Sequence, residues 1–205
     1  MKKIRKDNPN TPEMWDHAYK EFDGGNHNEP RFMAMLALVE DGTRVVDLGC
    51  GQGTFLYALS RLWVNVELWG VDISRKAIEW AQNRIGDRVR FEKADVTDTH
   101  LIGDHFDYVV ASEIMEHLDR PEDLIKEAYR LLKPGGKLIL TVPFEDRIPS
   151  SDHVWEFNYK DIEKMMGRFS KSWVFPFASG GGVLHKKEYV HRPGNWNLIF
   201  CLAIK

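Results

Sequence analysis

Cysteine is scarce in this chain of 205 residues: Cys50 and Cys201 are the only two, each set in an apolar segment. Such a pair excludes a disulfide-dense scaffold and suits free thiols in a reducing compartment. Long apolar runs are lacking as well. The longest, Leu198 to Ile204, has seven residues, far short of the ~20 that a membrane-crossing helix needs. Positive charge is not in excess either, because 28 Lys and Arg face 31 Asp and Glu for a net charge of -3. No global basic field exists to gather nucleic acid by counterion release. The N-terminal bases Lys2, Lys3, Arg5 and Lys6 lead into polar Asp7 to Thr11 and Pro12, where a signal peptide would need an apolar run. These absences point to a soluble cytoplasmic protein with no membrane or nucleic-acid partner, and leave its oligomeric state open.

What is present is 43% hydrophobic residues, enough for one sizeable core. Strand patterns alternate with helical ones. Thr43 to Leu48 reads as a strand buried on both faces, and Phe55, Leu56, Leu59 and Leu62 follow at helical spacing. Val66 to Asp72 is a second strand, Ser74 caps a helix carrying Ala77, Ile78 and Ala81, and Arg88 to Glu92 is a short third strand. Phe106 to Ala111, a helix Pro121 to Leu132 and a strand Lys137 to Val142 continue the alternation. The proline and glycines of Lys133-Pro134-Gly135-Gly136 part the last two. A helix over Asn158 to Met166 and strands near Lys171 to Phe177 and Asn195 to Lys205 end the chain. The expectation is an α/β fold, a doubly wound, mainly parallel sheet with an antiparallel last strand and ligands beyond the carboxyl ends of its strands. Residues 1–42 read as a helical lid or cap segment, and 43–205 as the main domain.

The central motif is Asp47-Leu48-Gly49-Cys50-Gly51-Gln52-Gly53, between the first strand and the helix after it. A glycine turn alone is compatible with a tight connection or a dinucleotide site. The dinucleotide fingerprint, however, places its third glycine at position 54, which here is Thr54. Asp47 would also repel a pyrophosphate, yet it attracts an ammonium or a sulfonium, both of which S-adenosylmethionine carries. Asp72 closes the second strand, where a carboxylate can accept from both ribose hydroxyls. Asp95 follows the third strand, placed for an adenine amino group, with Ile73 and Val96 able to flank the ring. Three acids in order at three successive strand ends are hard to dismiss as turn residues.

These segments, VVDLGCGQGTF, GVDIS, KADVTD, FDYVVASEIMEHL and RLLKPGGKLILTVP, resemble the class I methyltransferases that use S-adenosylmethionine, and within them the quinone-biosynthesis-like (type 11) group. The resemblance implies a Rossmann-like sheet of seven strands with the last antiparallel. It implies cofactor contacts at Asp47, Gly49, Gly51, Asp72, Ile73, Asp95, Val96 and near Ser112, with Cys50 and Gly53 completing the turn. The activity implied is methyl transfer to a small-molecule acceptor, most readily on oxygen. Such motifs define the cofactor and say little of the acceptor.

Ser112-Glu113-Ile114-Met115-Glu116-His117 leaves the fourth strand where the transferable methyl should point. His117 is the candidate base because imidazole titrates near neutrality, with Glu116 or Glu113 to orient it. Glu113, His153 and Trp155 are expected along the acceptor pocket. Trp15 and Tyr19, four apart, are placed to cover the cofactor, and Arg31 to meet an acceptor carboxylate. The basic, glycine-rich loop Ser179 to Gly194 is a solvated loop or a contact for an acidic acceptor. Two alternatives stay open. Glu113, Glu116 and His117, at i, i+3 and i+4, would suit an oxygen-liking divalent ion in a metal-assisted O-methyltransferase acting on a catechol or an RNA ribose hydroxyl, with His153 as a further ligand. A cofactor-binding module without chemistry is the other.

Overall fold

The computed structural model describes residues 1–20, 30–145, 150–178 and 197–205. In chain order its elements are β1 (Lys2–Lys3), α1 (Pro12–Ala18), α2 (Pro30–Leu36), β2 (Arg44–Leu48), α3 (Thr54–Leu62), β3 (Glu67–Asp72), α4 (Arg75–Ile85), β4 (Val89–Lys93) and β5 (Phe106–Ser112). They continue with α5 (Pro121–Leu131), β6 (Leu132–Pro143), β7 (Trp155–Glu156), α6 (Tyr159–Met165), β8 (Lys171–Phe177) and β9 (Leu198–Ile204). Seven strands form one sheet in the order β4-β3-β2-β5-β6-β9-β8. β2 pairs in parallel with β3 and β5, β3 with β4, and β5 with β6. β9 enters between β6 and β8 and runs antiparallel to both. The expected doubly wound sheet with its antiparallel last strand is therefore what the chain builds.

The alternation along each strand explains the two layers of core. On β2, Val46 and Leu48 point to the face covered by α5 and α6 (Leu124, Ile125, Leu131, Ile162), whereas Val45 joins Leu36, Phe55, Leu56 and Leu59 of α2 and α3 on the other. Each buried leucine of these stripes contributes about 1.5–3 kcal/mol through area removed from water. Helix starts follow their caps: Ser74 Oγ accepts from the Ala77 N–H, and Asn158 with Asp161 forms a reciprocal capping box.

Two details depart from expectation. β6 starts at Leu132, earlier than the proline and glycines suggest. Leu132 pairs with Phe106, and an irregularity between Phe106 and Tyr108 absorbs the turn residues before Lys137 resumes the register. The segment 1–42 holds a strand besides its helices, since β1 pairs with β7 in a two-stranded antiparallel ribbon, Lys2 opposite Glu156 and Lys3 opposite Trp155. Among the described residues no helix is long and apolar enough to cross a membrane.

Candidate active site

β2 carries Asp47 to the carboxyl edge of the sheet, and the glycine turn then folds over β3. The N–H groups of Gly49 and Cys50 both donate to the Val71 carbonyl, at 2.8 and 3.0 Å. Gly49, Gly51 and Gly53 have φ of +77°, +52° and +71°, a left-handed sequence that residues with a side chain adopt rarely. Space matters too: a Cβ at Gly51 would lie 2.7 Å from the Tyr19 hydroxyl, and one at Gly49 2.8 Å from Ile114. Asp72 braces the turn from the next strand. Its Oδ2 accepts from the Gly51 N–H and its Oδ1 from the Ser74 N–H, both at 2.8 Å. The carboxylate has about four acceptor sites, so these bonds still leave it able to accept from a ligand.

Asp47 and Asp72 are 5% and 6% exposed, and burial pushes both carboxyls upward. For Asp47, burial together with the neighbouring Asp72 charge raises the value to about 7, against the pull of Arg31. For Asp72, burial is opposed by the backbone N–H donors of Ser74, Gly51 and Ile73. Asp95 is exposed at the end of β4, holding its own turn by accepting from the N–H and hydroxyl of Thr97 at 2.8 and 2.7 Å. Between these strand ends lies a cavity of about 320 Å³ whose wall includes Gly49, Asp72, Ile73, Asp95 and Val96.

The exit of β5 forms the other end of the cavity. Glu113 has φ +53°, an uncommon conformation for a residue with a side chain. Its Oε1 accepts from the Thr141 hydroxyl at 2.9 Å, its Oε2 lies 3.7 Å from Arg31 Nη1, and Thr141 in turn meets Ser112 Oγ at 2.8 Å. A 3-10 turn over Met115–His117 then buries Glu116 and His117. Glu116 is 1% exposed, and its Oε2 has no hydrogen-bond partner. Burial, with Glu113 adding to it, holds this carboxyl well above the usual range. His117 lines the cavity; burial keeps its imidazole below the ordinary value, with Asp152 pulling the other way. His153 is buried beside it, with ring centroids 5.0 Å apart.

The N-terminal segment roofs the site. Asn8 Nδ2 donates to the His117 carbonyl at 3.1 Å and Asn10 Nδ2 to the Asp152 carbonyl at 2.8 Å. Thr11 caps α1, which places Trp15 edge-on to His117 with centroids 5.2 Å apart. Tyr19 ends that helix over Gly51; burial and then the Asp72 charge push its phenol upward, so it stays protonated. Asp16 secures the roof to the cofactor-side helix. Its Oδ1 accepts from Ser74 Oγ at 2.6 Å and from the Lys76 N–H at 3.0 Å, at the start of α4.

The sequence-derived set is thus brought together unevenly. Gly49, Asp72, Ile73, Asp95, Val96, Trp15, Tyr19, Glu113 and His117 form the wall of the cavity. Asp47, Cys50, Gly51, Gly53 and Ser112 are not on it: the first four shape the turn, and the Ser112 hydroxyl meets Thr141. Arg31, expected at an acceptor carboxylate, faces Glu113. Trp155 spends its indole N–H on the Leu118 carbonyl at 2.8 Å, and Glu116 and His153 sit behind the wall. Asn8, Asn10 and Arg120 also line the cavity, and no sequence motif marks them. The Ser179 to Gly194 loop and residues 21–29 of the expected lid lie outside the described residues.

Comparisons with known proteins agree with this geometry. Residues 46–140 match the family model described as a methyltransferase domain. The ubiquinone/menaquinone biosynthesis C-methyltransferase of Azotobacter vinelandii is 32% identical over 168 residues, 78% of this chain and 60% of that protein. The mitochondrial ubiquinone biosynthesis O-methyltransferase of Rattus norvegicus is 30% identical over 138 residues, 56% of this chain and 39% of that protein. The matched region spans less than two thirds of either relative. Among solved structures, a Haemonchus contortus phosphoethanolamine N-methyltransferase in complex with phosphomonomethylethanolamine and S-adenosylhomocysteine has the same fold, with a TM-score of 0.71 at 19% identity. That alignment covers 93% of this chain and 56% of the other.

Proposed function

We propose that the chain is a class I methyltransferase, in line with its match to the methyltransferase domain over residues 46–140, and that it binds S-adenosylmethionine under α1 and transfers the methyl group to a small-molecule acceptor, most readily at an oxygen. The observation that carries this reading is the convergence of Asp72, Ile73, Asp95 and Val96 with Gly49 on one cavity, at the carboxyl ends of three adjacent strands. Asp72 accepts from the ribose hydroxyls with the acceptor capacity that its backbone donors Gly51, Ser74 and Ile73 leave. Asp95 takes the adenine amino group, and Ile73 and Val96 flank the ring. Asp47 and the turn glycines sit under the methionine portion, where an ammonium offsets the buried Asp47 charge.

Residues 1–42 act in this reading as the lid of a single catalytic domain, with Trp15 and Tyr19 closing the cavity. Methyl transfer is an in-line displacement, so alignment in a dry site supplies most of the rate. His117 supports oxygen as the target. A hydroxyl acceptor must lose a proton as it attacks, and a neutral imidazole on the cavity wall is able to take it.

Calorimetry with S-adenosylhomocysteine, beside NAD as control, tests the reading. Micromolar binding of the first is expected, weakened by about 1–3 kcal/mol in Asp72→Ala, the cost of losing a charged hydrogen-bonding group. Tight NAD binding without a response to S-adenosylhomocysteine would overturn it.

A further inference from the structure

The main sheet ends at β4, which pairs with β3 on one side and, among the described residues, with no strand on the other. We propose that this edge joins a second copy of the chain, β4 running antiparallel to its counterpart about a two-fold axis at Phe91. Pairing of this kind requires neither cofactor nor methyl transfer, so it stands apart from the function proposed above.

The backbone limits the registers that such a pair can take. The Ala94 N–H donates to the Asp72 carbonyl at 3.1 Å, and backbone groups alternate sides along a strand, so Arg90 and Glu92 also turn their N–H and C=O toward β3. Those of Val89, Phe91 and Lys93 face outward. An antiparallel copy centred on Phe91 sets that residue opposite its own counterpart and Val89 opposite Lys93, and the outward groups then exchange about six hydrogen bonds. At the other end of the sheet β8 carries Pro176, whereas β4 has no proline to deny a donor.

Charge then selects the axis and the occupant. Arg90, Glu92 and Lys93 are exposed, and charged side chains on an edge discourage pairing with an arbitrary strand. Toward its own copy, however, β4 is complementary. Pairing about Phe91 places Arg90 opposite Glu92 of the second copy, and Glu92 opposite its Arg90, at the non-hydrogen-bonded positions where side chains come closest. The neighbouring registers that keep the outward groups paired set Arg90 against Arg90 or Glu92 against Glu92, and both repel. Among the described residues neither side chain has an ion-pair partner within the chain, whereas Lys76, Arg120 and Arg130 on the helices pair locally with Glu79, Asp123 and Glu127. The Arg90 guanidinium lies over the Trp69 ring, 5.0 Å from its centroid, which keeps it on the face where Glu92 also stands. A ladder of five residues a side is short, so the dimer belongs to the weak class that forms at micromolar concentrations.

Sedimentation velocity of the full chain between about 1 and 300 µM should show monomer passing into dimer. Arg90→Glu or Glu92→Arg alone turns both ion pairs into repulsions at once, so each should weaken the dimer by about ten- to a hundredfold, with folding checked by Tm and circular dichroism. The double variant Arg90→Glu/Glu92→Arg should restore the parent's dissociation constant, which a merely misfolded single variant would not allow. Lys93→Glu makes the same change of charge on the same strand but stands opposite Val89, and should shift the constant less than about threefold. The register is read by mixing Arg90→Cys protein with Glu92→Cys protein under mild oxidation. Disulfide-linked heterodimers are expected in preference to either homodimer, because positions 90 and 92 face each other and the native Cys50 and Cys201 are buried. A chain that stays monomeric throughout, its edge left to a strand of some other protein, would overturn the proposal. A dimer that both single reversals leave intact, or that the double variant fails to restore, would do the same.

Discussion

Asp47 is the residue whose replacement by asparagine separates folding from ligand binding most cleanly. Its carboxyl is held near 7 in the fold against an ordinary value of 3.8, so the folded chain keeps a proton between these values that the unfolded chain gives up. Stability on this account falls as pH rises from about 4 and levels off above about 7, which is the reverse of a salt-bridged carboxylate. A shift of about three units corresponds to about 4 kcal/mol. With an unfolding entropy of about 2.1 cal/mol/K per residue, a chain of this size converts that into roughly 10 °C of Tm. Asp47→Asn keeps the shape and removes the titration. In scanning fluorimetry without cofactor, the variant's Tm relative to the parent should climb by about 6 °C between pH 5 and pH 8, the window in which about two of the three units are lost. In the parent, S-adenosylhomocysteine binding should tighten about tenfold from pH 6 to pH 8, because the ionised fraction that receives the ammonium rises from ~0.1 to ~0.9; the variant should lose that dependence. Parallel Tm curves for the two proteins across this range would refute the assignment of a buried, proton-holding Asp47.

Two further outcomes follow from the roof and the wall. His117→Ala should lower kcat by about 10²–10⁴-fold on a hydroxyl acceptor, the usual worth of a positioned base, while changing the affinity for S-adenosylhomocysteine less than threefold; equal turnover in single-turnover assays would remove the base role. Asp16→Ala removes the acceptor shared by Ser74 and Lys76, so it should speed cofactor dissociation by about 2- to 30-fold, the equivalent of the 0.5–2 kcal/mol that a helix cap contributes. Stopped-flow measurement of cofactor release checks this, and an unchanged off-rate would mean that α1 is held by Trp15 and Tyr19 alone.

How much of this was legible beforehand depends on the range of the interaction. The glycine turn and the acids at 47, 72 and 95 are readable because each belongs to a short segment whose strand or turn is locally encoded. The same holds for Phe55, Leu56 and Leu59, whose spacing names the buried face of α3. Asn8, Asn10 and Asp16 left no such signal. Their partners, the carbonyls of His117 and Asp152 and the start of α4, are 109, 142 and about 60 residues away, and side chains that bond across the fold carry no period. β1 and β7 have two residues each, too few for alternation to show. A lone arginine beside a helix suits a ligand carboxylate, and within the fold Arg31 faces the carboxylate of Glu113. The glutamate-histidine spacing after β5 puts Glu116 and His117 in one turn, but the left-handed backbone at Glu113 breaks the helical turn on which a shared face for all three depends.

The position of β9 has a consequence for how the protein is made. Among the described residues β8 pairs in the main sheet with β9 alone, yet the two are separated by the stretch 178–197, which takes the ribosome roughly 1–4 s to add at 5–20 residues per second. Throughout that interval the segment Lys-Ser-Trp-Val-Phe-Pro-Phe of β8 is a strand in waiting, aromatic and open to pairing with a copy on a neighbouring nascent chain. Pro176 denies one backbone donor and Lys171 adds charge, two features that blunt such an edge. Replacing both with apolar strand formers should therefore lower soluble yield during synthesis far more than it alters the Tm of protein that has already folded.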